Sequence, residues 1–219
     1  MERVKTSAAW HERYNFAMAT VEREIVQRPR RSSGVRPFPV SKDRYYKMGA
    51  QGWFVDKRVE LIEGVINGLS PIGSRHWIAV IRLTRIFARQ LSDNYTVSFQ
   101  NSLDANSRSE PVPDVAIITG NEIEYLDGLP NTAKLAIEVS DLALRYDRSK
   151  IDLFARAGIR EYWIVNVKAD CAEDYRGPSG DRETRASREF AELSAFAKGD
   201  KISPLVAPDI SIAVSDLVP

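Results

Sequence analysis

The segment that most limits what this chain can fold into is Glu161-Tyr-Trp-Ile-Val-Asn-Val167, because it is apolar at nearly every position. A strand facing water on one side alternates apolar and polar residues, whereas one without alternation must be covered on both faces. Covered strands need neighbours and helical layers, so the run predicts the interior of a sheet with helices on either side. The rest of the chain is read against that requirement. Asp114-Val-Ala-Ile-Ile118 and Lys134-Leu-Ala-Ile-Glu-Val-Ser140 are further strands, and Tyr95–Gln100 is another. Arg58–Glu63, a turn at Gly64 and Val65–Leu69 read as a hairpin. Ser41 can cap a short helix toward Ala50, and Ser74 a longer one with Trp77, Val80, Ile81, Phe87, Ala88 and Leu91 on its inner face. Asp147 can cap a helix carrying Ile151, Phe154 and Ala155, which Gly158 stops. The order helix, strand, strand, strand, helix, strand predicts an α/β fold, a mixed central sheet flanked by helices. A loop and an edge hairpin near Arg188–Leu193 should follow, and Ile202–Leu217 should close the fold with a short strand and turn.

The chain has 219 residues, enough for one sizeable core. Residues 1–36 carry eight Lys/Arg and four Glu, hence +4 by 8 − 4, and the remainder is −3 by 1 − 4 from the total of +1. Arg28-Pro29-Arg30-Arg31-Ser32-Ser33-Gly34 has breakers and like charge but no apolar period, so 1–36 reads as a disordered basic extension and 37–219 as the folded domain. The alternatives are a basic arm on a phosphate backbone, or a true start at Met18. One cysteine, Cys171, and two histidines, His11 and His76, exclude an internal disulfide and a cysteine-rich zinc site. No apolar run is long enough for a membrane helix or a signal-peptide core, and a cytoplasmic protein is expected. The sequence has no Gly-x-Ser-x-Gly elbow and no glycine-rich phosphate or dinucleotide loop, which argues against those hydrolases, motors and oxidoreductases.

The chemistry that remains is acidic. Asp114 follows Pro113 at the start of one strand, and Glu138 stands inside the next, on the face of Ala136 and Ser140 rather than that of Leu135, Ile137 and Val139. A carboxylate inside an apolar strand is costly unless a cation or donors pair with it. Two such acids from adjacent strands suit Mg²⁺, with Mn²⁺ as a substitute, since this ion takes one or two carboxylates and fills its shell with water and phosphate oxygens. Lys150, one turn beyond Asp147 on the sheet-facing side, can reach back to orient or help deprotonate an attacking water, or to offset charge on phosphorus.

Glu60-Leu-Ile-Glu-Gly64, Ser70-Pro-Ile-Gly-Ser-Arg-His76, Phe99-Gln-Asn101, Ser109-Glu-Pro-Val-Pro-Asp-Val-Ala116, Ile137-Glu-Val-Ser140, Tyr146-Asp-Arg-Ser-Lys150 and Ala155-Arg-Ala-Gly-Ile-Arg-Glu-Tyr-Trp-Ile-Val165 follow one another in a set order. In that order and spacing the sequence resembles the Uma-type restriction endonuclease family of the PD-(D/E)XK nuclease superfamily, from about Pro37 to the C-terminus. The resemblance implies a restriction-endonuclease-like fold and metal-dependent hydrolysis of DNA. It makes Asp114 and Glu138 the metal-binding acids, joined by the backbone carbonyl of Val139. The superfamily lysine would stand where Ser140 is, and Lys150 on the following helix takes its place. Glu60 matches an accessory acid. His76 matches the family histidine, with either a catalytic role or a bond to a backbone carbonyl. Two departures are Asn166, where the family favours aspartate, and Cys171-Ala-Glu-Asp-Tyr175, where it favours an apolar strand. Duplex cutting makes a homodimer the expected assembly. The competing reading is a catalytically inactive binding or assembly module on the same fold.

Overall fold

The computed structural model describes residues 38–178 and 189–219. The 1–36 extension, Met18 and the Arg188 end of the expected edge hairpin lie outside the described residues. Pro39–Pro219 forms one compact unit.

Helix α1 (Lys42–Ala50) starts at Ser41, whose hydroxyl accepts from the Arg44 amide. Strands β1 (Val59–Ile62) and β2 (Val65–Gly68) then pair as an antiparallel hairpin. Its two turn residues, Glu63 and Gly64, have φ of 50° and 81°. Successive positive φ is the twist-matched way to join two strands by two residues. A side chain at Gly64 would also strike Pro39 at 2.6 Å.

Helix α2 (Ser74–Gln90) leads into β3 (Tyr95–Phe99), β4 (Val115–Thr119) and β5 (Leu135–Ser140). Two short helices, α3 (Leu144–Ser149) and α4 (Ile151–Arg156), cross to β6 (Glu161–Asn166). Strands β7 (Cys171–Pro178) and β8 (Phe190–Ala197) complete a six-stranded sheet in the order β3-β4-β5-β6-β7-β8. All neighbours are antiparallel except β5 and β6. A parallel pair requires a long crossover, and α3 and α4 provide it. The sheet is therefore mixed and flanked by helices, as the sequence predicts.

Every residue of β5 and β6 is buried. On one face, Leu135, Ile137, Val139, Trp163 and Val165 pack with Val80, Leu83 and Phe87 of α2 and with Ile202, Ile212 and Leu217. Those last residues belong to β9 (Lys201–Ile202), β10 (Ile212–Ala213) and α5 (Val214–Leu217). On the other face, Ala136, Tyr162 and Ile164 pack with Ile151 and Phe154 of α4. Among the described residues, no helix is long and apolar enough to cross a membrane.

Four local expectations shift. The inner stripe of α2 is Ala79, Val80, Leu83 and Phe87, while Trp77 and Ile81 are exposed and Gly73, not Ser74, is the N-cap. This rotation turns His76 toward β4. Asp147 is not a cap: α3 begins at Leu144 with Ala143 before it, and Asp147 is buried in the helix. One expected helix becomes two, meeting at Lys150. Lastly, the strand Cys171–Pro178 is buried over Ala172–Tyr175 despite Glu173 and Asp174, because Arg148 and Arg176 pair with them. Gly158 ends α4 as predicted, with φ of 76° and Ile159 N–H bonding back to Phe154.

Candidate active site

The antiparallel register pairs Val115 with Ile137, so one step further along the two strands sets Asp114 beside Glu138. Asp114 is fixed from three sides. Its Oδ2 accepts from the Val139 amide at 2.8 Å and lies 2.9 Å from His76 Nε2. Its Oδ1 accepts from Gln100 Nε2 at 3.3 Å. A carboxylate oxygen can only accept here, so His76 carries its proton on Nε2. Its Nδ1 is buried without a partner among the described residues. The histidine thus bonds a site carboxylate and not a backbone carbonyl.

Lys150 stands where α3 passes into α4, and it is 2% exposed. Its Nζ lies 2.9 Å from Glu138 Oε1 and 2.8 Å from Glu60 Oε1, and 4.8 Å above the Tyr146 ring. Glu60 is wholly buried on β1, and its carboxylate also accepts from Tyr146 Oη at 2.7 Å and the Val112 amide at 2.9 Å. The hairpin thereby delivers an acid to a cluster otherwise built on the main sheet and its crossover.

The electrostatics are lopsided. Glu60, Asp114, Glu138 and Asp147 supply four buried carboxylates, and Lys150 is the ammonium in contact with two of them. Burial pushes the Glu138 carboxyl well up, Lys150 opposes this, and the charges of Asp114, Asp147 and Glu60 push it further. Asp147 is pushed up to about 6, first by burial, against Lys150 and Ser140 and with Asp114 and Glu60. Burial alone would lower the Lys150 pKa, but Glu138 and Glu60 more than reverse this and hold the ammonium protonated. Such a cluster gains from an added cation.

Asp114, Glu138, Val139, Lys150 and His76 all line one cleft of about 440 Å³, together with Tyr146 and Asp147. Glu60 sits behind it, in contact with Lys150. Every site residue expected from the sequence is therefore brought to one place. Sequence reasoning gave no role to Gln100 or Tyr146 and read Asp147 only as a helix cap. For the last two a signal existed: they precede Lys150 by four and three residues, on the same helical side. Gln100 holds φ of 51°, a backbone state that no sequence pattern announces.

Among the described residues, no group of three His, Cys, Asp or Glu side chains is arranged to hold a metal ion. An ion here would rest on two carboxylates, Asp114 and Glu138, with water and phosphate oxygens completing its shell. That is the habit of Mg²⁺ rather than of zinc or calcium. The hard-oxygen donors and the excess negative charge fit such an ion.

Comparison with known proteins bears on the fold and the family. No curated protein matches the chain. A crystal structure described as "a putative nuclease belonging to DUF820", from Anabaena variabilis ATCC 29413, is similar with a TM-score of 0.64 at 15% identity. The similarity covers 82% of this chain and 97% of that one, and at this identity it shows the shared fold. The Uma2 family, described as "Putative restriction endonuclease", matches residues 51–215, well over half of the sequence. With a mixed sheet, a helical crossover and an acidic cleft in the matched region, the chain belongs to the Uma2 restriction endonuclease family.

Proposed function

We propose that this protein is a Mg²⁺-dependent endonuclease that hydrolyses phosphodiester bonds in DNA, with Mn²⁺ able to substitute, and that it works as a cytoplasmic homodimer. The observation that carries this reading is the convergence of Asp114, Glu138 and Lys150 from the start of β4, from β5 and from the α3–α4 junction onto one cleft. A bound Mg²⁺ would polarise the phosphate, lower the pKa of its water and offset charge in the transition state.

The chain's own residues have separable roles. Asp114 and Glu138 hold the cation, with the Val139 carbonyl beside them. The Val139 amide and His76 fix Asp114 Oδ2, so the carboxylate is presented without rotamer search. Lys150 acts as a charge rather than a base, because two carboxylates keep it protonated. Glu60 and Tyr146 hold that ammonium in position. Preorganised charge aimed at developing charge is the largest lever such a site has.

The test is nicking of supercoiled plasmid with Mg²⁺ or Mn²⁺ by wild type, Glu138→Ala and Lys150→Ala. Cleavage by wild type that both variants lose is expected. No cleavage across metals, salts and substrates would return the fold to the binding-module reading. Sedimentation at micromolar concentration is expected to show a dimer, and a clean monomer would overturn that part.

A further inference from the structure

Asp147 stands in α3 at 5% exposure, lines the cleft, and has an Oδ2 with no hydrogen-bond partner. Its backbone is pinned on both sides. Its N–H donates to Ala143 O at 2.9 Å, and its carbonyl accepts from Tyr162 Oη at 2.9 Å and the Lys150 amide at 3.1 Å. The side chain therefore cannot leave for solvent by a small shift of the helix. A buried acceptor without a donor is a standing penalty of about 1–3 kcal/mol.

Lys150, Asp114 and one oxygen of Glu138, which line the same cleft, are already engaged. Lys150 is bound by Glu60 and Glu138 and is protonated. His76 Nε2 and the Val139 amide occupy Asp114 Oδ2, and Gln100 donates to Oδ1. Glu138 Oε1 accepts from Lys150. The Ser140 hydroxyl is near enough to favour the charged form of Asp147 without making a hydrogen bond of proper geometry. Asp147 thus lines the cleft with a buried Oδ2 that has no hydrogen-bond partner of proper geometry among the described residues.

We propose that Asp147 is a further catalytic residue, whose free Oδ2 holds the attacking water and takes its proton. The inference rests on the nuclease reading of the same site. The water's O–H bond breaks and its proton passes to Oδ2, while its oxygen forms the new bond to phosphorus. The bond from phosphorus to the leaving sugar oxygen breaks with its electron pair, and that oxygen takes a proton from solvent. Asp147 then releases its proton to bulk water, and one water has been added across one diester. In this role Asp147 is a proton acceptor and not a metal ligand, a distinction that Mg²⁺ affinity of the variants tests.

The experiment compares wild type, Asp147→Asn and Asp147→Glu in plasmid nicking, with Mg²⁺ titration calorimetry on the same preparations. Asparagine keeps the shape and removes the basic oxygen. It is expected to lower kcat by roughly 100-fold or more, within the range for loss of a general base. Mg²⁺ affinity and KM should stay within about threefold of wild type, and Asp147→Glu should recover part of the lost rate. Equal cleavage by Asp147→Asn overturns the proposal while leaving the nuclease reading intact. A parallel loss of Mg²⁺ binding overturns it in favour of a metal ligand. Wild type that cleaves nothing overturns the nuclease reading and this one with it. Should Asp147→Asn fail to fold, Asp147→Ser decides the matter by the same two readouts.

Discussion

Two of the buried acidic clusters among the described residues lie on opposite faces of the same sheet, and they differ in access. The first is the cleft group around Glu138 and Lys150, on the face of Ala136 and Tyr162. The second lies on the α2 face, where Trp163 Nε1 donates to Glu161 and Arg176 bridges Glu161 at 3.0 Å and Asp174 at 2.7 Å. Backbone closes over it: the Leu205 amide donates to Glu161 at 2.7 Å, and Arg176 donates to Ser203 O at 2.6 Å. Burial is the leading cause in both places, lifting Asp147 to about 6 and Asp174 to about 7. Neither burial nor a raised pKa therefore separates a working site from a structural one. Access does. The cleft cluster lines a cavity of about 440 Å³, whereas the Glu161 and Asp174 side chains, 0% and 1% exposed, close on Arg176.

The largest effect that could break this comparison is on turnover. Glu138→Gln is expected to slow plasmid nicking by at least about 1000-fold, the scale for losing a transition-state charge contact. At pH 8 the same variant should melt no lower than wild type, because it removes a buried acid from a crowded cluster. A variant that loses both rate and fold would place the cleft group among the structural clusters. Arg176→Met probes the sealed side. It strands Glu161 and Asp174, so urea unfolding should show a loss of about 3–5 kcal/mol. Nicking per folded molecule should remain within about twofold of wild type.

The contrast also explains what the sequence could and could not show. The sheet was legible because burial on both faces leaves continuous apolar runs, as in Glu161–Val167, and these survive any rearrangement of loops. Asp114 and Glu138 were legible for the converse reason, since an acid in an apolar strand has no local explanation. Asp147 was hidden by a local explanation that sufficed: an aspartate before a helical run looks like a cap. Only the earlier helix start at Leu144 turns it inward. The sealed cluster was hidden too, because Cys171–Tyr175 reads as polar until Arg148 and Arg176 are placed beside Glu173 and Asp174. Arg148 reaches Glu173 from a helix 25 residues away and Arg176 reaches Glu161 on the neighbouring strand, and such contacts leave no short-range signature.

A smaller effect concerns pH. Asp174 rises from 3.8 to about 7 on folding. An acid raised in the folded state binds more protons there, so its contribution is fully present below pH 3.8 and is lost as pH rises through about 7. Asp174→Asn removes that dependence. It should therefore stabilise the fold on the order of 2 kcal/mol at pH 8, fading to nothing by pH 4, as melting temperatures across the range would show. A gain that did not vary with pH would mean that the aspartate titrates alike in the folded and unfolded chain.

The smallest effect tests where the cleft cluster ends. Tyr146→Phe removes one hydrogen bond, from Oη to Glu60 at 2.7 Å, and keeps the ring beneath Lys150. Glu60 retains Lys150 and the Val112 amide, so stability should fall by only about 1 kcal/mol. If Tyr146 belongs to the working cluster, the freed carboxylate lets the ammonium wander and kcat drops by roughly fivefold with KM unchanged. If it belongs with the structural contacts, the melting temperature moves by the same few degrees and kcat does not. That split, in a residue touching both Glu60 and Lys150, marks how far the preorganised charge extends behind the cleft wall.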